Sequence, residues 1–487
     1  MNAWSAPMGR LIFLVLFFPV IVLSDQLPPI ELDEKSLTEA ALRSAPGLKE
    51  IEASLQSIRL NRDSFNDQFG WRLQSDMTYQ KANEKGLAEF DAVTIDATQI
   101  QAAVIKPYAN GVQVGLSAFT NQISNTFVEN STNTGVGLSL SVDLMKNFLG
   151  KLSSSQLKNA QILTQKAELE REIQEKAFLQ NLRKIYWSIT ATKEQILISQ
   201  GLLDTALRQL KDTEQRRKSN VADSGDVARS RSQVASRRSN ILLLEYQLET
   251  QMQQLKEMIP EFANREIILK EVSLSKTISD VLVCTTLIQS NRSVPYDYTK
   301  YDEVIKLVNE AYEEQRISTN AINTWDLKLN GEVQYFGKAY SYNNSFRDIT
   351  DDSQNRMSVG LQLNIPLDGK RATTEETQRI LDEKRFLSEK DAIQAKIEAF
   401  HTQTLRNIAL LQQAVRTQGE NSKDLSESLR SAQNKFEQAR LSFRELIADQ
   451  DLLLQSNLDE VRTKLTVITT LLDYFSVFHT TPCPLNQ

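Results

Sequence analysis

The chain has 487 residues and a net charge of −6, with 56 basic and 62 acidic side chains. That balance gives no whole-chain basic footprint for nucleic acid. Glycine and proline together number 27, under 6% against the roughly 12% of ordinary proteins. This excludes collagen-like, Pro-rich and Gly/Ser-linker chains and favours long helices.

In chain order, the N-terminus reads as an export signal. Arg10 precedes an apolar run, Leu11–Leu23, and the small residues Val22 and Ser24 suit cleavage after Ser24. An uncleaved N-terminal anchor is the alternative. No other run is long enough for a spanning helix, so any later entry into a membrane is by strands. Residues 36–64 carry Leu37, Ala41, Ser44, Leu48, Ile51, Leu55 and Ile58 at alternating spacings of 4 and 3, a helical stripe.

Next come strand-like alternations at 71–79 and 136–144, with Trp, Leu, Met and Tyr on one face of the first. Between them, 80–134 reads as an extended surface loop or an extra strand pair, with Val112–Leu116 alternating. Residues 151–258 then hold two glycines and no proline. They predict a helix over 151–218, about 100 Å long, a turn at 219–225, and a second helix ended by Pro260.

The same order repeats. Residues 301–322 form a shorter helical stripe. Alternations follow at 325–335 and 359–367, and 370–478 holds one glycine and no proline. The spacing predicts a long helix over 370–440, a turn at Leu441–Phe443, and a helix whose Leu454, Leu458, Val461, Leu465, Ile468, Leu472 and Phe475 form a heptad seam. The chain thus divides into a leader (1–24), repeat one (25–260), an equatorial linker (261–300), repeat two (301–478) and a tail (479–487).

Nine- to eleven-residue alternations match outer-membrane strands as well as an ordinary sheet with one wet face; the export signal favours the barrel. Four strands per chain cannot close a barrel, which needs at least eight, so a barrel demands an oligomer. Trp71, Tyr79, Trp325 and Tyr335 are candidate aromatic girdle residues. Cys284 and Cys483 are the two cysteines; one disulfide and two unpaired thiols are both open readings. His401 and His479 are isolated. No motif for zinc, nucleotide or Ser/Cys nucleophile chemistry is found, so no catalytic residue, cofactor or metal is assigned.

Together these features resemble the TolC-type outer-membrane efflux and secretion channels. The carrying residues are Leu37–Leu48 (LTEAALRSAPGL), Gly135–Gly150 (GVGLSLSVDLMKNFLG), its counterpart Val359–Lys370, and the tips Asn220–Val227 and Leu441–Gln450. The resemblance covers about 30–478. It departs where the family has a glycine before each tip, here Asn220 and Ala439, and where Asp143 replaces a strand-end proline that Pro366 keeps.

The resemblance implies a mainly α protein with β. Long antiparallel coiled-coil hairpins would form an α-barrel, and about four amphipathic strands per protomer would contribute to a trimeric 12-stranded membrane β-barrel. It implies a homotrimer in outer-membrane lipid, extending into the periplasm. Its partners would be a periplasmic adaptor (membrane fusion) protein and an inner-membrane transporter, and its task efflux or type I secretion without catalysis. The competing reading is a secreted or periplasmic coiled-coil adaptor or scaffold without a barrel.

The tips, Asn220, Val221, Asp223, Gly225, Leu441, Ser442, Phe443 and Arg444, are candidate adaptor contacts. Around tip one the charges are Arg216, Arg217, Lys218, Arg229, Arg231, Arg237 and Arg238 against Asp223 and Asp226; after tip two they are Glu445, Asp449, Asp451, Asp459 and Glu460. Opposition of these faces suggests a periplasmic gate, with Glu445, Asp449, Asp226, Arg229 and Arg231 as candidates. Two solvated faces are the plainer reading.

Overall fold

The computed structural model describes residues 27–82, 93–270, 274–290, 293–322, 324–365, 370–438, 440–481 and 483. The expected leader, the Pro366–Gly369 junction and Ala439 lie outside them. The chain opens with β1 (Leu27–Leu32), α1 (Glu34–Ser44) and α2 (Pro46–Asp67). Asp33 caps α1, accepting from Ser36 N at 2.8 Å. Pro46 has no N–H to give, so the stripe expected over 36–64 is carried by two helices meeting at Ala45.

Strands β2 (Arg72–Lys81), β3 (Thr94–Pro107), β4 (Val112–Asn125) and β5 (Ser131–Asp143) follow. A short 3₁₀ turn at Phe148–Gly150 leads into α3 (Lys151–Lys218), and α4 (Ser224–Met258) returns alongside it. Then come β6 (Arg265–Leu269), α5 (Leu274–Ser290), α6 (Tyr301–Ile322), β7 (Asp326–Ala339), α7 (Tyr342–Asp351) and β8 (Gln354–Asn364). Helices α8 (Lys370–Glu437) and α9 (Phe443–Val477) complete the chain. The duplication is exact in length: α3 and α8 have 68 residues each, α4 and α9 have 35 each. The longer pair are therefore rods of about 100 Å, the shorter pair about half that.

A rod that long is covered in halves. The first half of α3 lies against α2 and α6, tied by Arg59–Glu168 at 2.7 Å and Lys158–Glu314 at 2.5 Å. Its last turns meet α4, where Arg231 reaches Glu214 at 2.8 Å. The main core sits midway. Leu37, Leu182, Ile189, Leu471 and Phe475 are wholly buried there, joined by Leu274, Val281 and Cys284 of α5. The stretch 261–300, read as a linker, thus supplies part of the core: β6 pairs in parallel with β1, and α5 packs on α8 and α9. The two cysteines are bonded, Cys284 to Cys483, across 199 residues, both fully buried.

One sheet holds six strands in the order β2-β3-β4-β5-β7-β8, every neighbour antiparallel. The expectation of four strands per protomer is corrected here. Of the two readings of 80–134, the extra strand pair is the one found, as β3 and β4. Alternation in β3 was hard to read because Gln99, Gln101 and Ala103 face Ile100, Ala102 and Val104, a weak polarity contrast.

Candidate channel wall, hairpin tips and gate

The registers align the side chains of all six strands. One rung runs Leu73, Val104, Leu116, Leu138, Val333, Met357; the next runs Gln74, Ala103, Ser117, Gly137, Gln334, Arg356. Successive residues point to opposite faces, so one face is apolar and the other polar or small. The apolar face is bare: Leu73 is 75% exposed, Leu116 59% and Met357 75%. A contiguous apolar face of this size is not left to water, and alternation with apolar side out is the pattern of a barrel wall in lipid. Among the described residues, no helix is long and apolar enough to cross a membrane.

Trp71, Tyr79, Trp325 and Tyr335 all stand exposed on this apolar side. The tryptophans mark the end near the long helices and the tyrosines the opposite end. Lys106 lies on the same face, its Nζ 5.7 Å from the Trp71 ring and 5.9 Å from that of Tyr108. A basic head over aromatic rings suits a membrane–water boundary.

The wall is locked to the rods at one junction. The β3–β4 turn ends in Gly111 at φ +82°, where a Cβ would come within 2.2 Å of the Asn147 carbonyl. Asn147 in turn accepts from Leu152 N and Ser153 N at 3.1 and 3.0 Å, starting α3. Asp143, in the place of the family's proline, donates its N–H to the Gly111 carbonyl at 2.9 Å.

At the far end, Asn220 takes the left-handed conformation at φ +54° that the family's glycine would take. Val221 N closes the turn onto Arg216 O at 2.9 Å, and Val221 itself is 72% exposed. Asp223 is occupied as the cap of α4, accepting from Asp226 N at 2.8 Å. At the second tip, Ser442 and Glu445 form a reciprocal cap. Glu445 accepts from Ser442 N and Oγ at 3.0 and 2.7 Å, which holds its carboxyl below the usual range. Phe443 is turned into the hairpin at 7% exposure, its ring 5.8 Å from Phe436. It is not part of an outward contact surface in this protomer.

The proposed charge opposition takes a different form from the expected one. Arg229 pairs with Asp226 at 3.2 Å and Arg231 with Glu214, both inside hairpin one. Contacts between the hairpins include Lys184–Asp473 at the core and, further out, Arg237–Asp451 and, beside it, Gln233 Nε2 donating to Gln450 Oε1 at 2.8 Å. Arg237 is 6% exposed at its side chain, Asp451 57%. Gln233 Oε1 and Gln450 Nε2 are buried without a hydrogen-bond partner among the described residues, so this contact is incompletely satisfied. Nearby, the Arg216 guanidinium sits 5.1 Å from the Phe436 ring.

Sequence reading did not single out the Ser155–Lys158–Glu314 cluster. Ser155 Oγ donates to Glu314 Oε2 at 2.9 Å, and Lys158 with Ser155 lowers the Glu314 pKa. Glu314 lies on the helix predicted over 301–322, but its burial comes from packing and leaves no mark in the sequence. Among the described residues, no group of three or more His, Cys, Asp or Glu could hold a metal ion.

Residues 108–260 match the family model described as outer membrane efflux protein. No curated protein matches the chain. Solved structures do. The outer membrane protein VceC of Vibrio cholerae is 14% identical with a TM-score of 0.66, covering 91% of this chain and 95% of its own. The Campylobacter jejuni CmeC outer membrane channel is 10% identical, with a TM-score of 0.64, over 98% and 93%. The open state of the Neisseria gonorrhoeae MtrE outer membrane channel is 13% identical, with a TM-score of 0.62, over 91% and 88%. At such identities the likeness is one of fold. The shared fold and the matched segment are what this chain has in common with outer-membrane efflux channels.

Proposed function

We propose that three copies of this chain form a channel-tunnel. It would conduct solutes or proteins, handed over by an inner-membrane transporter through a periplasmic adaptor, across the periplasm and outer membrane. Efflux and type I secretion both fit. The observation that carries the reading is the apolar belt running in register across six strands, next to rods of about 100 Å. A soluble coiled-coil adaptor has no use for such a belt.

The tip residues Asn220, Val221, Asp223, Gly225, Leu441, Ser442 and Arg444, all exposed or part-exposed, are proposed adaptor contacts. Glu445 and Asp449 are proposed to line an acidic constriction, and Arg237–Asp451 with Gln233–Gln450 to latch the hairpins when closed. Trp71, Tyr79, Trp325 and Tyr335 are proposed as girdles. The test is extraction of the full chain from outer membranes. Detergent-dependent solubility with a heat-modifiable trimer supports the reading; a monomer soluble without detergent refutes it in favour of the adaptor.

A further inference from the structure

We infer that the membrane barrel has eighteen strands, six from each of three copies, closed by pairing β8 of one copy with β2 of the next; this rests on the trimeric reading above. The four strands common to the two repeats would give twelve. The case for eighteen turns on whether β3 and β4 belong to the wall.

The rungs say they do. Leu116 and Val104 stand between Leu73 and Leu138 in one apolar row. Their alternate neighbours Gln101 and Ser117 stand on the polar side. A hairpin folded into the lumen or over the mouth has no need of an apolar face continuous with its neighbours.

The aromatic levels give a second measure. From Tyr79 the ladder crosses Thr98, Gln122 and Thr132 to Ala339, four residues beyond Tyr335. From Leu73, two residues past Trp71, it reaches Val333, eight past Trp325. If the girdles are level, the strands slip by 1 to 1.5 residues per strand over four strand steps. With a rise of about 3.3 Å and a spacing of about 4.8 Å, that is a tilt of about 35–46°, the barrel range.

The edges fit each other. β2 and β8 are 10 and 11 residues long, exposed along their whole length, and each has a partner on one side only. β2 runs away from the long helices and β8 towards them, so a β8–β2 contact between copies continues the antiparallel alternation. Within a copy, Leu73 shares a rung with Met357. Placing Leu73 beside Leu363 of the next copy advances six residues over six strand steps, the same slip of one per strand. At about 40° tilt, eighteen strands make a wall about 36 Å across between backbones, against about 24 Å for twelve.

The test uses full-length chain in outer-membrane vesicles. Leu116→Cys and Val104→Cys should resist a water-soluble maleimide, and a fluorophore attached to them after extraction should, on reconstitution, be quenched by lipids spin-labelled in the acyl chain. Gln101→Cys should react with the maleimide and escape quenching. Leu73→Cys combined with Leu363→Cys, or with Leu361→Cys, should yield covalent trimers on oxidation. Trimers in which Leu116→Cys and Val104→Cys are water-accessible and unquenched, or in which neither β2–β8 pair crosslinks, would overturn eighteen strands while leaving the trimer standing. Absence of any trimer in the unmodified protein would instead overturn the reading on which this rests.

Discussion

Replacing Asp451 by asparagine removes one charge from the contact between the hairpins while keeping its shape and one acceptor oxygen. Arg237, 6% exposed, then loses the carboxylate that faces it. Hydrogen bonds to charged groups contribute about 1.5–3 kcal/mol, but Asp451 is 57% exposed and water screens it, so about 1 kcal/mol per protomer is a fair figure. If three such latches yield together, about 3 kcal/mol moves a closed-to-open equilibrium about 150-fold. Planar bilayers read this as the fraction of time spent in the high-conductance state. The unmodified channel should itself open more between 0.1 and 1 M salt, as the Debye length falls from about 10 to about 3 Å. Asp451→Asn should respond less. A cycle with Arg237→Met separates the pair from other effects of each change. An Asp451→Asn channel with unmodified opening, together with a coupling below about 0.3 kcal/mol, would show that something else holds the hairpins together.

Three further outcomes are expected. Cys284→Ala with Cys483→Ala should lower stability by about 2–5 kcal/mol, read as an earlier thermal transition in detergent; no change in the transition would mean the core holds without the bond. Glu314, with its folded pKa depressed, stabilises above the usual carboxylate value of about 4.3 and loses that contribution as pH falls through its lower folded value. Melting temperature should therefore drop more steeply from pH 5 to 3 in the unmodified chain than in Glu314→Gln; parallel curves would dismiss the cluster as a stabiliser. Leu138→Arg, on the apolar face, should cost about 2–4 kcal/mol of insertion if near the bilayer midplane, seen as lost trimer on gels, while Gln101→Arg on the polar face should assemble. Equal assembly of both would deny the assignment of faces.

The rods were legible because breaker residues are nearly missing from them: 151–258 holds two glycines and 370–478 one, with no proline in either. The duplication was legible for the same reason. The hairpin β3–β4 was half-visible, since alanine and glutamine alternate without much contrast in hydropathy. Pairing at the hairpins was not legible. Arg229, Arg231 and Arg237 look alike in sequence, and only packing decides that the first two serve their own hairpin while the third crosses to the other. Glu445 stood out in the sequence only as a charge; its part in the reciprocal cap with Ser442 comes from the structure. Cys284 and Cys483 lay outside the long blocks, which left their bond open until α5 was seen to join the core.

That bond has a consequence for biogenesis. Cys483 is the last of the described core residues, and its partner is 199 residues earlier. Both are wholly buried beside residues drawn from the first helix, both repeats and the segment between them. The bond can therefore form only once residue 483 has been made and has met an oxidising environment. A chain cut short of Cys483 would keep its rods and strands but lack this bond, leaving the Cys284 thiol free within the core.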